Sequence, residues 1–265
     1  MSEAGASTAA ASVAAQPLTA ADWLAAWEAA AAAPPGLREV ALLLPACGAD
    51  AQGVSRLPLG TRDALLLDLR QALFGARLDC IAACPSCGER CEWSCEVDAL
   101  RDSTATAAPP NGTWLGTDAH GAGWQVAFRP VHSLDIAAAA KLAAPGDTAQ
   151  AARVLLERCV TQACQASREV AASAIPQELH AAIGEGVAAA DPQLLSTVAL
   201  NCPSCSAHWQ ADLDIGAFLW AEIDTWAQRL LAEVHRLALR YGWAERDIVA
   251  MSPARRAYYL AFGDA

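Results

Sequence analysis

Apolar residues at Leu219, Ile223, Trp226, Leu230, Val234, Leu237 and Tyr241 follow one another in steps of three and four. That spacing lays one stripe along a helix over residues 215–241, which Gly242 ends. Nearer the start, DWLAAWEAAAAA (22–33) reads as a helix capped by Thr19 or Asp22 and stopped by Pro34-Pro35-Gly36. Trp23 and Trp27 are four apart and so share one of its faces. An apolar stretch at 37–44 predicts a second helix ended by Pro45, then a loop with Gly48, Gly53 and Pro58. TRDALLLDLRQALF (61–74) has Leu65, Leu66, Leu69 and Leu73 at helical spacing, with Gly75 as its stop.

The pattern then changes. Residues 77–83 and 89–97 are short, with β-type residues at intervals, and CPSCG lies between them. Residues 113–130 predict a β-hairpin turning around 118–123. An alanine-rich helix follows from Ser133 or Asp135 to Pro145-Gly146, then a helix over 147–164 and a third opened by Pro176. Residues 194–200, a second CPSC and residues 208–215 repeat the strand–knuckle–strand pattern. Beyond Gly242 come a short helix at 244–250 and a last one opened by Ser252-Pro253. The fold class expected is α+β, mostly helical.

Composition narrows the function classes. Apolar residues make up 54% of 265, and many are alanine, which favours helix but adds little core volume. No apolar run approaches the roughly 18 residues of a membrane helix. The first residues, MSEAGASTAAASVAAQP, lack the basic start and bulky apolar centre of a secretory leader. Residues 1–17 are therefore expected to be a disordered tail and the protein cytoplasmic. The net charge is -11, with basic residues few and scattered apart from Arg255 and Arg256. That balance argues against a nucleic-acid surface and for protein partners.

Ten cysteines remain to be explained, four of them in CPSCGERCEWSC (84–95). A disulfide framework suits small secreted domains, unlike this chain. A thioredoxin-like CPSC would open a helix, whereas both copies here precede strand-like residues. In a C-P-x-C knuckle, backbone amides point at the thiolates, and two knuckles supply the four ligands of a tetrahedral zinc. Cys84, Cys87, Cys202 and Cys205 form that set and resemble a zinc ribbon, split by more than a hundred residues. The rival is a local site among Cys80, Cys84, Cys87, Cys91 and Cys95, which would leave the second CPSC without a purpose. Cys91 and Cys95 are thus expected to pack as small apolar residues. Cys47 (in a loop) and Cys159 and Cys164 (on a helix) are expected to be buried or free thiols. A closed Zn2+ site of four thiolates is structural, with no open position for catalysis.

No HExxH, GxSxG, P-loop or GxGxxG sequence occurs, and His120, His132, His180, His208 and His235 have no partner at diagnostic spacing. The expectation is no enzyme. The most distinctive stretch is FLWAEIDTWAQRLLAEVHRLALRYGWAERDIVAMSPARRAYYL, at 218–260. Its Glu-Val-His-x-Leu-Ala-x-x-Tyr-Gly-Trp (233–243) and Ser-Pro-x-Arg-Arg-x-x-Tyr-Leu (252–260) resemble the C-terminal signature of the T4-type phage baseplate protein family. That family includes proteins of contractile injection system clusters. A helix ending in LFG before a CPxCG knuckle fits too, so the resemblance spans about 20–262.

The resemblance implies a baseplate or hub component, or an assembly chaperone, whose partners are the proteins of a contractile tail. Aromatic residues mixed with arginine suit an interface. Tyr241, Trp243, Arg255, Arg256, Tyr258 and Tyr259 are the candidate partner-binding residues. The alternative is a zinc-ribbon nucleic-acid or transcription module. Against it, the first knuckle hairpin offers Glu89, Glu92, Glu96 and Asp98 beside Arg90. The expected organisation is a tail (1–17), an N-terminal helical region (18–76) and a first ribbon half (77–100). An inserted hairpin with helices (101–193), a second ribbon half (194–215) and a C-terminal helical segment (216–265) follow.

Overall fold

The structure, a computed structural model, describes residues 18–48, 50–102 and 111–262. The expected tail at 1–17 and residues 103–110 at the start of the expected insertion lie outside the described residues. The fold is α+β, more than half helical, with small antiparallel sheets.

Helix α1 (Ala20–Ala32) starts at a capping box: the Asp22 amide donates to Thr19 Oγ1, and the Thr19 amide donates to Asp22 Oδ2. Trp27 Nε1, on its inner face, donates to Asp224 Oδ1 at 2.9 Å. Helix α2 (Arg38–Cys47) runs through Pro45, contrary to the stop expected there. In the last turn proline removes a single amide bond, and Gly48 at φ +59° ends the helix instead. The loop expected next contains a short helix, α3 (Ala51–Ser55), because the Asp50 carboxylate accepts the Gly53 amide as its cap.

Helix α4 (Leu59–Phe74) buries Leu65, Leu66, Leu67 and Leu69 in the main core. Its own first residues offer no capping side chain. The cap comes from 131 positions away: Asp191 Oδ2, itself buried, accepts the Gly60 amide at 2.9 Å. A Cβ on Gly60 would lie 2.0 Å from Asp191 Oδ1, so glycine is required for this approach.

Strands β1 (Arg77–Ala83) and β2 (Arg90–Glu96) form the first hairpin. The inserted segment follows, with β3 (Gly112–Thr117) and β4 (Gly123–Phe128) turning around Asp118. The Asp118 carboxylate accepts the His120 and Ala122 amides and Trp124 Nε1. Helices α5 (Ser133–Leu142) and α6 (Thr148–Cys159) come next. The helix expected over 147–164 stops at Cys159; the chain continues as β5 (Val160–Gln165) and β6 (Arg168–Val170). These extend the hairpin into a four-stranded sheet in the order β3-β4-β5-β6. The β5–β6 turn places Ala166 and Ser167 at positive φ, the conformation of a two-residue hairpin turn, without the Asn-Gly that usually announces one.

The fully buried Asp135 fastens this segment, accepting from Arg129, Arg158 Nε and the His132 amide. The helix expected to open at Pro176 begins with a single 3-10 turn and becomes α7 (His180–Ala190). Trp124, Val126, Leu156, Ala163, Ile175 and Ile183 give the insertion a core of its own.

The second hairpin, β7 (Ser196–Asn201) and β8 (His208–Leu213), leads through the Asp214 cap into α8 (Ile215–Tyr241). Gly242 at φ +68° ends α8 as expected. Leu219 and Ile223 enter the main core, while Leu230, Val234 and Leu237 form a second cluster with Leu24 and with Ile248 and Val249 of α9 (Glu245–Val249). Helix α10 (Pro253–Ala261), capped by Ser252, is the last helix among the described residues.

The Asp191 cap joins the end of the insertion to the start of α4. Replacing it leaves a buried amide without a partner, so Asp191→Ala should cost about 1–3 kcal/mol of stability. Denaturant unfolding of the variant measures this; an unchanged midpoint would show that water replaces the carboxylate.

Candidate metal centre

Each CPSC sits at the tip of a hairpin, and the two tips have the same backbone. In the first, the Cys84 amide donates to Glu89 O at 2.8 Å and the Gly88 amide to Cys84 O at 2.9 Å. In the second, the Cys202 amide donates to Ala207 O at 2.9 Å and the Ser206 amide to Cys202 O at 3.0 Å. The residue four after the first cysteine has positive φ in both, +76° at Gly88 and +60° at Ser206. The register agrees along the strands as well. Leu78↔Cys95, Cys80↔Trp93 and Ala82↔Cys91 correspond to Ser196↔Leu213, Val198↔Ala211 and Leu200↔Trp209. The echo of four letters is thus a repeat of a whole hairpin.

The hairpins meet tip to tip. Cys84 Sγ lies 3.7 Å from Cys205 Sγ and Cys87 Sγ 3.6 Å from Cys202 Sγ, and all four sulfurs are within 4.8 Å of one another. A disulfide holds its sulfurs at about 2.05 Å, so these are not bridged pairs. A metal bound to four thiolates at about 2.3 Å in a tetrahedron spaces them by roughly 3.8 Å. The observed spacing fits that centre, and the four cysteines could hold a metal ion.

One edge of the cluster, Cys84 and Cys202, is buried at 2% and 1% exposure; the other, Cys87 and Cys205, faces solvent. The electrostatics differ from sulfur to sulfur. The Cys205 amide, opposed by burial and helped by the Ser204 amide, lowers Cys202 to about 6. The Glu89 amide pulls Cys87 down, but the thiols of Cys205, Cys202 and Cys84 crowded around it, together with desolvation, push it up to about 12. One thiolate is therefore ready near neutral pH, and a bound cation must displace protons from its neighbours.

The rival local site is not assembled. Among the described residues the metal-competent group is these four cysteines, two from each hairpin. Cys80 and Cys95 pack into the main core beside Trp93 and Val198, and burial raises both thiols. Cys91 is buried next to Cys84 and Cys202, with its Sγ toward Glu89 O at 3.7 Å. Cys47 ends α2 rather than lying in a loop, Cys159 is buried at the end of α6, and Cys164 is on β5 rather than on a helix.

The C-terminal candidates fall into two groups. Tyr241 stacks on Trp243 at 4.5 Å, Tyr259 meets Trp243 edge-on at 4.9 Å, and Tyr241 Oη donates to Tyr259 O. Arg256 is enclosed by its own chain, at 4% exposure, with Nε 2.6 Å from Glu233 Oε2 and a further bond to Met251 O. Arg255 and Tyr258 lie on the surface, and Tyr258 meets Phe262 edge-on at 4.8 Å. The exposed Phe262, not among the candidates, stands four positions after Tyr258, the spacing that could have pointed to it.

The pairing of ligands across the hairpins gives a direct test. Replacing one inner ligand from each, Cys84→Ser with Cys202→Ser, should abolish stoichiometric metal binding by elemental analysis, whereas Cys80→Ser with Cys95→Ser should leave it intact. Because binding displaces protons, affinity should fall as pH falls, with Cys202 itself protonating below about 6. Competition with a chromogenic chelator across pH 5 to 8 measures the slope, and a flat profile would argue against thiolate ligation.

No family model, no curated protein and no solved structure matches this chain.

Proposed function

We propose that this is a non-enzymatic, Zn2+-stabilised interaction protein of a contractile tail or contractile injection system, acting in its baseplate or hub or in their assembly. Four clustered thiolates suit zinc, and four protein ligands leave no site for water or substrate. The metal therefore has a structural part, and function lies on the surface that it helps to hold.

The observation that carries the reading is the joining of the two motif segments, 233–243 and 252–260, into one unit. Glu233 of the first binds Arg256 of the second, and Tyr241 and Trp243 of the first receive Tyr259 of the second. These residues shape the unit from within. They leave Arg255, Tyr258 and Phe262 outward as a compact aromatic and cationic face, the composition that concentrates binding energy in protein interfaces. Among the described residues no helix is long and apolar enough to cross a membrane.

The two groups should separate by mutation. Tyr258→Ala with Arg255→Ala should leave circular dichroism and thermal melting unchanged. The same pair should weaken binding to purified baseplate or hub subunits by about 2 kcal/mol or more. Tyr259→Ala and Arg256→Ala should lower the melting temperature instead. Full-strength binding by the folded surface variant would remove this face from the functional account.

A further inference from the structure

The first hairpin carries three cysteines beyond its knuckle, and the register that it shares with the second hairpin sorts them. Cys80 and Cys95 occupy the positions held by Val198 and Leu213 in the second copy, and all four pack on the main core. Thiols there replace aliphatic side chains. Cys91 is different. Its counterpart is Trp209, and its neighbours are the sulfurs at the metal end, not the aliphatic core.

Cys91 is buried against Cys84 and Cys202, the inner edge of the four-sulfur cluster. Its other contact, Glu89 O at 3.7 Å, is a weak bond at the limit for sulfur. A fifth thiol is thus buried with the inner pair Cys84 and Cys202, whereas the ligands Cys87 and Cys205 are exposed. On the other hairpin the matching space is taken by the indole of Trp209, which donates one hydrogen bond and offers no metal ligand.

We propose that Cys91 is a reserve metal ligand that takes the place of Cys87 or Cys205 when either exposed thiolate is lost to the ion. The inference rests on reading the cluster as a zinc centre. Cys87 and Cys205 are the ligands that solvent and electrophiles reach, while Cys84 and Cys202 are shielded. On loss of an outer thiolate, Cys84, Cys202, the remaining outer thiolate and Cys91 would together hold the ion. The metal–sulfur bond to the outer ligand breaks as that to Cys91 forms. Cys91 releases its thiol proton to water, the freed thiolate takes one up, and the charge of the centre is unchanged. No oxidation is involved.

Cobalt(II) tests this in the full chain, because sulfur-to-cobalt charge-transfer absorbance grows with the number of bound thiolates. Cys87→Ala, which supplies no replacement oxygen, should retain the intensity of the four-thiolate parent. Cys91→Val alone should also retain it, since the parent centre does not use Cys91. Cys87→Ala with Cys91→Val should fall to three-thiolate intensity or release the ion. Three-thiolate intensity or no cobalt in Cys87→Ala itself overturns the proposal, and that readout stands even if the double variant does not fold. A parent protein without a four-thiolate band overturns the zinc centre, and the reserve ligand with it. A four-thiolate parent beside a three-thiolate Cys87→Ala overturns the reserve ligand alone.

Discussion

Bringing four thiols to within 4.8 Å of one another is the constraint on which the other elements depend, because their sources are 115 to 121 positions apart. On chain-entropy reasoning, closing a loop of that length costs about 4–5 kcal/mol. Four sulfurs in contact without an ion give back little of it. A structural zinc on such ligands is worth about 10–16 kcal/mol in small domains, enough to exceed the closure cost. Binding of such an ion and pairing of the two hairpins would in that sense be one event. The main core reflects it: Leu78 and Cys80 of the first hairpin pack in the same cluster as Val198 and Leu213 of the second.

A metal held there would nevertheless not be the sole clamp on the insertion. Gln193, buried at the exit of the inserted segment, reaches its entrance. Its Nε2 donates to Leu100 O at 3.0 Å and its Oε1 accepts the Asp102 amide at 2.8 Å. Asp191, two residues earlier, caps α4. These bonds close a neck on which the insertion sits with its own core. The long interruption of the ribbon is therefore tolerable for a geometric reason: its two ends leave and return at the same place, so the hairpins see a short connection rather than a loose loop.

What was legible in the sequence follows from which signals are local. The stripe from Leu219 to Leu237 and the capping residues Thr19 and Ser252 place their helices because each acts within a turn of itself. The repeated CPSC selected the four clustered cysteines. The misses have a common cause, in that a distant partner overrode the local pattern. Residues 160–165 read as helix until β4 supplies a pairing edge, and the turn at Ala166 and Ser167 lacks the expected glycine. The start of α4 has no cap of its own because Asp191 provides it. Arg256 read as a surface residue because Glu233, its partner, lies a helix away.

Helix α8 connects the two ends of this arrangement. It begins one residue after β8, at the Asp214 cap, and runs for 27 residues to the stacked Tyr241 and Trp243. At 1.5 Å per residue its ends are about 40 Å apart. The second hairpin therefore leads directly into a single rod whose far end carries the aromatic unit. Leu219 and Ile223 fix the near end in the main core, and Leu230, Val234 and Leu237 hold α9 at the far end. Trp27 bonded to Asp224 adds a lateral tie from α1 at the middle. A rod held at three points along its length has little freedom to roll. Securing the second hairpin against the first thus also sets the direction in which Arg255, Tyr258 and Phe262 face, far from any contact with the cysteines.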